Sequence, residues 1–347
     1  VRGDWRNYTR SLQPLVDANY QDDGTLVDVN TVNVEENANR TPIPYTLPPG
    51  VVREQINTNN TIIRQNEQSL SFRVEQLEPG DARGVFKNVN LDLRQYKRLK
   101  MFMHAESIFE NDYLPEDLPI VSFVRLGTDF VENYYQVELP LKFSDYSSVT
   151  AEEIWPNEND LDINFDDLKR IKSQAIANQT LNELRYFENI DGEWIEVNPN
   201  QSRTLGTLRI GIRGNPSLGS IRALMIGVLN QDDQYARAEV WFNELRLAGF
   251  DNDGGWAAIA AMDANMADLA NVSASWNTST SGFGGINQAP NQRARADMNR
   301  YDVVSSLDAG KLLPSKWNVR IPLNYGFSKS LVTPEFDPVY EDLKLSD

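Results

Sequence analysis

Two kinds of β-structure meet within residues 238–258, which read AEVWFNELRLAGFDNDGGWAA. In the first part of this stretch the apolar side chains fall mainly on even positions, with Trp241 as the exception. From Leu245 onward they fall on odd positions. Because successive side chains of a strand point to opposite faces, this change of phase predicts a β-bulge at Asn243 and Glu244.

A tight turn is predicted directly after this strand, at residues 251–255, DNDGG. Aspartate and asparagine side chains bond their own backbone, and glycine adopts positive φ without strain. Before the turn the sequence is typical of a soluble sandwich. After it, the sequence is typical of strands that face a membrane.

Eight short strands are predicted between residues 70 and 250. They cover 71–75, 85–93, 99–104, 120–126, 134–139, 208–212, 221–229 and 238–247. Their alternation and the turn residues between them favour an all-β fold, a jelly-roll-like antiparallel β-sandwich, although the pattern does not fix the strand order. An insertion at 145–200 contains one helix candidate, capped by Asn164 or Asp166.

Residues 1–69 are polar and rich in turn formers, and 41–50 (TPIPYTLPPG) carry four prolines. Proline fixes φ and removes an amide donor, which disfavours regular structure. We therefore expect an irregular, extended connector over 1–69.

Four antiparallel strands of a transmembrane β-barrel wall are predicted between residues 256 and 330. Each alternates apolar with small or polar side chains, as outer-membrane barrels do. The clearest case is Trp317–Ser328, whose expected lipid-facing residues are Trp317, Val319, Ile321, Leu323 and Tyr325, with a bulge expected at Pro322. Since barrels need about eight strands to close, four strands must belong to a larger wall.

Connection lengths predict how these strands are oriented. The connections 267–270 and 310–316 are short, whereas 279–300 is long. Outer-membrane barrels keep short turns in the periplasm and long loops outside. We therefore expect the sandwich on the extracellular side of the outer membrane, and 331–347 as the start of a long extracellular loop.

The composition argues against several classes of function. The net charge of −17 disfavours nucleic-acid binding, and the absence of cysteine excludes thiolate chemistry. His104 is the single histidine, and no Gly-x-Ser-x-Gly motif accompanies it. Asp160-x-Asp162-x-Asn164 begins like a calcium loop, but Phe165 stands where glycine is required, so solvated turns are the default. We predict no catalytic residue, cofactor or metal site.

Several long motifs resemble one protein family. The central motif residues are Trp241, Asn243, Glu244, Arg246, Gly254, Gly255 and Trp256. Further matching stretches are Arg40-Thr41-Pro42 with Tyr45, Leu47-Pro48-Pro49-Gly50, Asp92–Lys97, Arg125-Leu126-Gly127, Asn133-Tyr134-Tyr135 and Arg213–Pro216. Together they resemble the SprA (Sov) family, the giant outer-membrane translocon of the Bacteroidetes type IX secretion system.

This resemblance implies an internal segment of a protein-conducting channel. Folded cargo proteins, including gliding and surface proteins, would pass through it, and other secretion components would gate it. Outer-membrane lipid is the remaining expected partner. The main alternative is an extracellular jelly-roll carbohydrate-binding module attached to another outer-membrane barrel. A surface hydrolase with paired carboxylates is a second alternative, but no spacing of acids singles out a pair.

Overall fold

The chain forms two compact units, Val1–Phe250 and Asp251–Asp347. The structure is a computed structural model that describes residues 5–12, 24–53, 55–58, 61–114, 116–288 and 292–345. Each unit is described by itself below.

The first unit is built almost entirely of strands. These are β1 (Arg6–Tyr8), β2 (Leu26–Asn33), β3 (Gln55–Thr58), β4 (Thr61–Arg64), β5 (Gln68–Leu77), β6 (Ala82–Leu91), β7 (Arg98–Ser107), β8 (Ile120–Gly127), β9 (Tyr134–Pro140), β10 (Leu161–Asn164), β11 (Arg185–Ile190), β12 (Glu193–Val197), β13 (Arg209–Arg213), β14 (Ile221–Asn230) and β15 (Ala236–Ala248). Two α-helices, α1 (Ala151–Ile154) and α2 (Phe165–Ala177), lie in the described part of the insertion.

Two antiparallel sheets of this unit form a sandwich. One has the order β1-β6-β14-β8-β9-β13-β11-β12, and the other β10-β7-β15-β5-β2. β5 pairs with β15, β6 with β14, β7 with β10 and β8 with β9. These eight strands are β5–β10, β14 and β15, counted in chain order. The first pairs with the eighth, the second with the seventh, the third with the sixth and the fourth with the fifth, which is the strand order of a jelly roll. The predicted jelly-roll-like sandwich is confirmed.

The predicted bulge lies in β15. Asn243 is opposite Phe102 of β7, but Arg246 is opposite Lys100, so three steps along β15 match two along β7. Glu244 takes a left-handed conformation, with φ of 51°. Because of this extra residue, the apolar side chains before and after the bulge point to the same face of the sheet.

The main core lies between the two sheets. Val240 and Phe242, before the bulge, are fully buried in it. Leu245 and Leu247, after the bulge, pack against the same core. The change from even to odd apolar positions is therefore the sequence signature of one buried face that continues through a bulge.

Helix α2 begins where the sequence predicts. The Asn164 side chain, rather than Asp166, caps it by accepting a hydrogen bond from the Asp166 amide at 3.0 Å. Its apolar residues Leu168 and Ile171 are buried. The insertion is nevertheless part of the sandwich, because β10 joins one sheet while β11 and β12 join the other.

The expectation of irregular structure over 1–69 needs correction. β1 pairs with β6, β2 pairs with β5 over its whole length, and β3 pairs with β4. In β2, Val27 and Val29 alternate with Asp28 and Asn30, the period that suits a half-buried strand. The proline-rich stretch itself contains no regular structure.

The second unit contains one four-stranded antiparallel sheet in the order β16-β17-β18-β19. Its strands are β16 (Ala257–Met266), β17 (Ala270–Ser279), β18 (Ala296–Asp308) and β19 (Pro322–Pro334). Both edge strands, β16 and β19, pair on one side only within the described residues. None of the helices described in the chain combines the length and hydrophobicity that a membrane span requires.

The last strand starts later than the sequence predicts. Ser315–Trp317 form a 3-10 turn, and Asn318 is left-handed with φ of 49°, which interrupts the extended chain. Trp317, Val319 and Ile321 therefore precede the strand, while Leu323 and Tyr325 lie within it. Pro322 is the first strand residue and not the site of a bulge, a position where proline is tolerated.

Candidate functional site

A second core lies on the outer face of the five-stranded sheet. Trp241 is fully buried there and packs with Tyr45 and Trp155, whose ring centroids are 5.5 and 6.0 Å from its own. Tyr45 belongs to the proline-rich stretch, and the Trp155 indole donates to the Thr46 carbonyl oxygen at 2.9 Å. The second core therefore holds the proline-rich stretch against the sheet.

Arg40 forms the charged part of this second core. Its Nη2 lies 2.5 Å from Glu106 Oε1 and 2.9 Å from Glu239 Oε2, and both carboxylates are almost fully buried. Its guanidinium carbon also lies 5.2 Å from the ring centroid of Trp241. Glu239 in turn accepts hydrogen bonds from Ser71 Oγ and Trp241 Nε1, both at 2.8 Å. One cation thus compensates two carboxylates that are removed from water.

His104 is completely buried in the same cluster. Its Nδ1 lies 2.7 Å from the Ile154 carbonyl oxygen, and its Nε2 lies 3.3 Å from Glu106. Burial alone would raise the pKa of Glu106, but hydrogen bonds and charge from His104 and Arg40 outweigh this and hold the pKa below its ordinary value. The single histidine is therefore a structural residue, packed 4.1 Å from the Trp241 ring centroid.

The other motif residues of the first unit continue this face. Asn243 donates to Glu67 at 2.6 Å and to the Tyr45 hydroxyl at 3.3 Å. The Arg246 guanidinium carbon lies 4.8 Å from the ring centroid of Phe102. Glu244 supplies the left-handed bulge residue. The central motif thus builds the outer face of the five-stranded sheet.

Gly255 and Trp256 have their own role in the second unit. A Cβ atom on Gly255 would lie 2.2 Å from the Phe283 amide nitrogen, so only glycine fits this close backbone approach. The Trp256 carbonyl oxygen accepts from the Thr280 amide at 2.9 Å, and the Trp256 amide donates to the Thr280 side-chain Oγ1 at 3.0 Å. Trp256 itself is more than half exposed. Gly254 has open space around its Cα, and nothing in the structure explains a requirement for glycine there.

Asp160, near Arg246, makes the stability of this region depend on pH. Burial raises its pKa to about 6, although the charges of Arg246 and Lys100 act in the opposite direction. Between about pH 4 and 6 the folded state then holds a proton that the unfolded state has released. Stability therefore falls as the pH rises through this window.

Asp160→Asn should raise the thermal unfolding temperature at pH 8 and leave it unchanged below about pH 4. The nearby Asp162→Asn is the matched control. Burial would raise the pKa of Asp162, but hydrogen bonds from Arg98 and Lys100 hold it below its ordinary value. Asp162→Asn should thus lower the unfolding temperature at pH 8. Thermal unfolding followed by circular dichroism from pH 4 to 8 measures both, and shifts of the same sign would contradict the assignment.

In the second unit, the strand register places apolar residues on one face, here called the apolar face. It carries Ala260, Met262, Ala264 and Met266 of β16, Val272, Ala274 and Trp276 of β17, Tyr301, Val303 and Leu307 of β18, and Leu323, Tyr325 and Phe327 of β19. Four polar residues also lie on this face. Ser305 is near its middle, and Thr278, Asn299 and Lys329 are toward the end where β16 begins. Every residue of β19 is exposed.

The opposite face, here called the polar face, carries mostly small and hydrophilic side chains. Its members include Asp263, Asn265, Asn271, Ser273, Ser275, Asn277, Arg300, Asp302, Ser306, Asn324, Ser328 and Ser330, with Ile259, Met298, Val304 and Val332 as large apolar exceptions. Asp263 accepts from Ser273 at 2.6 Å, and Asp302 accepts from Arg300 at 2.7 Å and from Ser328 at 2.6 Å. Polar pairs within β18 and between neighbouring strands thus link several side chains of this face.

The described ranges hold no group of three or more histidine, aspartate or glutamate residues arranged to bind a metal ion. Their acidic residues in the second core are engaged by Arg40, hydroxyls and indole nitrogens, as described above. The second core holds the proline-rich stretch against the five-stranded sheet, and the second unit presents a sheet with one apolar and one polar face. Neither the second core nor the four-stranded sheet presents an arrangement for covalent or acid–base chemistry.

Sequence reasoning missed the ionic part of the second core. Arg40, Glu106 and Glu239 are distant along the chain, and their alternation with core residues looks like an ordinary solvated face. One signal was present, since Trp241 departs from the even-position apolar pattern. A large aromatic residue on the supposedly exposed face indicates that this face is covered.

The fold is that of an all-β protein, with a jelly-roll-like sandwich in the first unit and a two-faced four-stranded sheet in the second. Over residues 1–347 the chain matches the SprA_N family, described as motility related/secretion protein, and it belongs to that family. No curated protein matches the chain.

Among solved structures, the chain is similar to a protein described in a structural analysis of an exo-beta-agarase. The TM-score is 0.28 at 7% sequence identity, over 69% of this chain and 25% of that chain. The present chain thus spans about a quarter of that protein, and a likeness of this degree carries no argument about function.

Proposed function

We propose that the chain is a segment of a giant outer-membrane channel that exports folded cargo proteins in type IX secretion. The second unit would supply four strands of the channel wall, and the first unit would lie on the extracellular side. Secreted cargo and the other secretion components would be its protein partners. Membership of a motility and secretion family supports this class of function.

The two-faced sheet of the second unit carries the proposal. Four strands of ten or thirteen residues stand in one register, with apolar side chains aligned on one face. Transmembrane β-strands need about 9–11 residues and alternate in this way. The apolar face suits lipid tails, and the polar face suits a water-filled lumen. The unpaired edges of β16 and β19 suit neighbouring wall strands on both sides.

Orientation rests on what is attached to each end of the sheet. The connections 280–295, 251–256 and 335–345 lie at the end where β16 begins, here called the loop end. Residues 267–269 and 309–321 lie at the other end. The second of these is longer than the sequence suggests, because β19 starts at Pro322. The loop 280–295 lies at the loop end, and the chain that follows the first unit joins β16 there. We propose that this end is extracellular.

A cysteine series in the full-length protein tests this proposal. These 347 residues contain no cysteine, so no native cysteine among them competes with an introduced one for the reagent. Ala274 and Ser275 are adjacent in β17 and similar in size, but they lie on the apolar and polar faces respectively. Ser275→Cys should react with a membrane-impermeant thiol reagent, and Ala274→Cys should be protected by lipid.

Two further positions report the orientation. Asn287→Cys, in the exposed loop at the loop end, should label in intact cells. Asp268 lies at the opposite end, and its side chain is 87% exposed. Asp268→Cys should therefore label only after the outer membrane is permeabilised. If only Asp268→Cys labelled in intact cells, the orientation would be the opposite of the one proposed. Equal labelling of Ala274→Cys and Ser275→Cys would contradict a membrane wall.

A further inference from the structure

The connection between β18 and β19, residues 309–321, exposes large apolar side chains at the end of the four-stranded sheet opposite the loop end. Leu312, Trp317 and Val319 are 69%, 64% and 44% exposed. A connection that meets only water is usually made of small and polar residues, whereas exposed apolar side chains gathered in one segment mark a contact surface. Residues 309–321 are here called the basic turn, because all of their charged side chains are cations.

The backbone of the basic turn is held in a defined conformation. Asp308 Oδ1 accepts hydrogen bonds from the amides of Gly310 and Ile321, both at 3.1 Å, and so ties the two ends of the segment together. Two 3-10 turns, Ala309–Leu312 and Ser315–Trp317, fold the chain between these contacts. The apolar side chains are therefore exposed on a folded segment, which loses little entropy when a partner covers it.

The charges around the basic turn favour an anionic partner. The segment contains Lys311, Lys316 and Arg320 and no acidic residue, although the whole chain has a net charge of −17. Asp268 on the neighbouring turn lies 3.6 Å from Lys311 and offsets that cation. Lys316 and Arg320 are exposed, and neither forms an ion pair with the residues that the structure describes. Two such cations beside exposed apolar side chains attract a surface that is both anionic and apolar.

The position of the basic turn beside the apolar face favours a lipid over a protein. Met266, Leu307 and Leu323 lie in the last row of the apolar face at this end, and Pro322, directly before Leu323, is the first residue after the basic turn. Under the proposed function, that row lies at the boundary of the hydrocarbon layer. Tryptophan rings and basic side chains are enriched at this depth, because the ring lies among the headgroups and the cation meets their phosphates.

We propose that the basic turn is an interfacial anchor that binds anionic phospholipid at the membrane boundary. Leu312 and Trp317 enter the interface, and Lys316 and Arg320 bind the phosphate groups. This inference rests on the proposed function, because a membrane wall is what brings the segment to a layer of lipid headgroups. It also places Trp317 at lipid although this residue lies outside strand β19. In the orientation proposed above, the leaflet concerned faces the periplasm.

Fluorescence of the full-length protein in lipid vesicles tests the anchor. Trp317→Cys is labelled with an environment-sensitive dye, in protein from which any other cysteines have been replaced. The vesicles contain phosphatidylcholine with or without phosphatidylglycerol, and lipids with a nitroxide near the headgroup act as quenchers. The dye at position 317 should be quenched, and more strongly when phosphatidylglycerol is present. Asp268→Cys is the matched control at the same end, and its dye should stay unquenched because the native side chain is 87% exposed in an acidic turn.

Variants of the two unpaired cations test the contact with phosphate. Lys316→Gln and Arg320→Gln each remove one exposed charge, and each should lower the equilibrium constant for insertion into the anionic vesicles about fivefold. In phosphatidylcholine alone both should insert like the unmodified protein. Arg222→Gln removes an exposed cation of the first unit and should change insertion in neither kind of vesicle.

The same dye at Ala274→Cys, on the apolar face, reports on the wall itself through lipids that carry the nitroxide deep in the bilayer. Quenching at position 274 without quenching at 317 would overturn the anchor and leave the channel wall standing. Quenching at neither position would overturn both. Protection of Trp317→Cys from a thiol reagent in permeabilised cells, without quenching in vesicles, would mean that a protein covers the segment and would also overturn the anchor. Quenching at 317 that neither charge variant reduces would overturn the binding of anionic headgroups.

Discussion

Phe327→Arg should prevent the second unit from inserting into the outer membrane. Phe327 lies opposite Val303, which in turn lies opposite Ala274 and, beyond it, Met262, in the middle of the apolar face. If that face meets lipid, an arginine near the midplane costs about 2–4 kcal/mol, and its neighbours offer no partner. Heat-modifiable migration of the full-length protein and its level in the outer membrane measure the effect.

Asn324→Arg is the matched control on the same strand. Asn324 lies opposite Ser306 on the polar face, which we propose to line the lumen. There a new charge remains in water, so insertion and protein level should stay close to those of the unmodified protein. Damage from Asn324→Arg alone would place the polar face toward lipid. Equal damage from both would indicate a sheet that is buried on both faces.

Arg40→Met should lower the free energy of unfolding of the first unit by about 3–5 kcal/mol. The change leaves Glu106 and Glu239 buried without their cation, and removing one partner of a buried ion pair is much more harmful than removing an exposed one. Denaturant unfolding followed by tryptophan fluorescence is a suitable measurement, because Trp241 and Trp155 report on the second core directly.

Arg73→Met provides the comparison for this change. Arg73 pairs with Glu75 at 2.8 Å, but both side chains are more than one third exposed, so its loss should change the free energy of unfolding by less than about 1 kcal/mol. Adding Glu239→Gln to Arg40→Met should recover part of the loss, since a neutral amide needs no cation. Equal losses from Arg40→Met and Arg73→Met would show that the buried charges are not compensated by Arg40.

Local patterns in the sequence were sufficient for features that depend on one strand or one turn. The bulge at Glu244, the cap at Asn164 and the alternation of β16–β19 each follow from side chains within a few residues of one another. The start of β19 was missed because Val319 and Ile321 continue the apolar alternation. The left-handed Asn318 interrupts the strand there, and a period-two pattern does not detect one such residue.

Features that depend on distant residues were not accessible in this way. The second core joins Arg40, His104, Trp155 and Trp241 from four separate parts of the chain. Such sites depend on which strands are neighbours, and alternation leaves the order of the strands undetermined.

The bulge in β15 also determines which genetic changes this strand tolerates. Replacing Glu244 by a residue that tolerates its left-handed conformation changes one half-buried side chain. It leaves the alternation of side chains on either side of the bulge unchanged. Deletion of one residue between 243 and 246 would instead remove the bulge and restore regular pairing with β7. Each side chain after the deletion would then point to the opposite face of the sheet. Leu245 and Leu247 would then face solvent, and Arg246 would enter the main core. At this point of the molecule the number of residues is under stronger constraint than their identity.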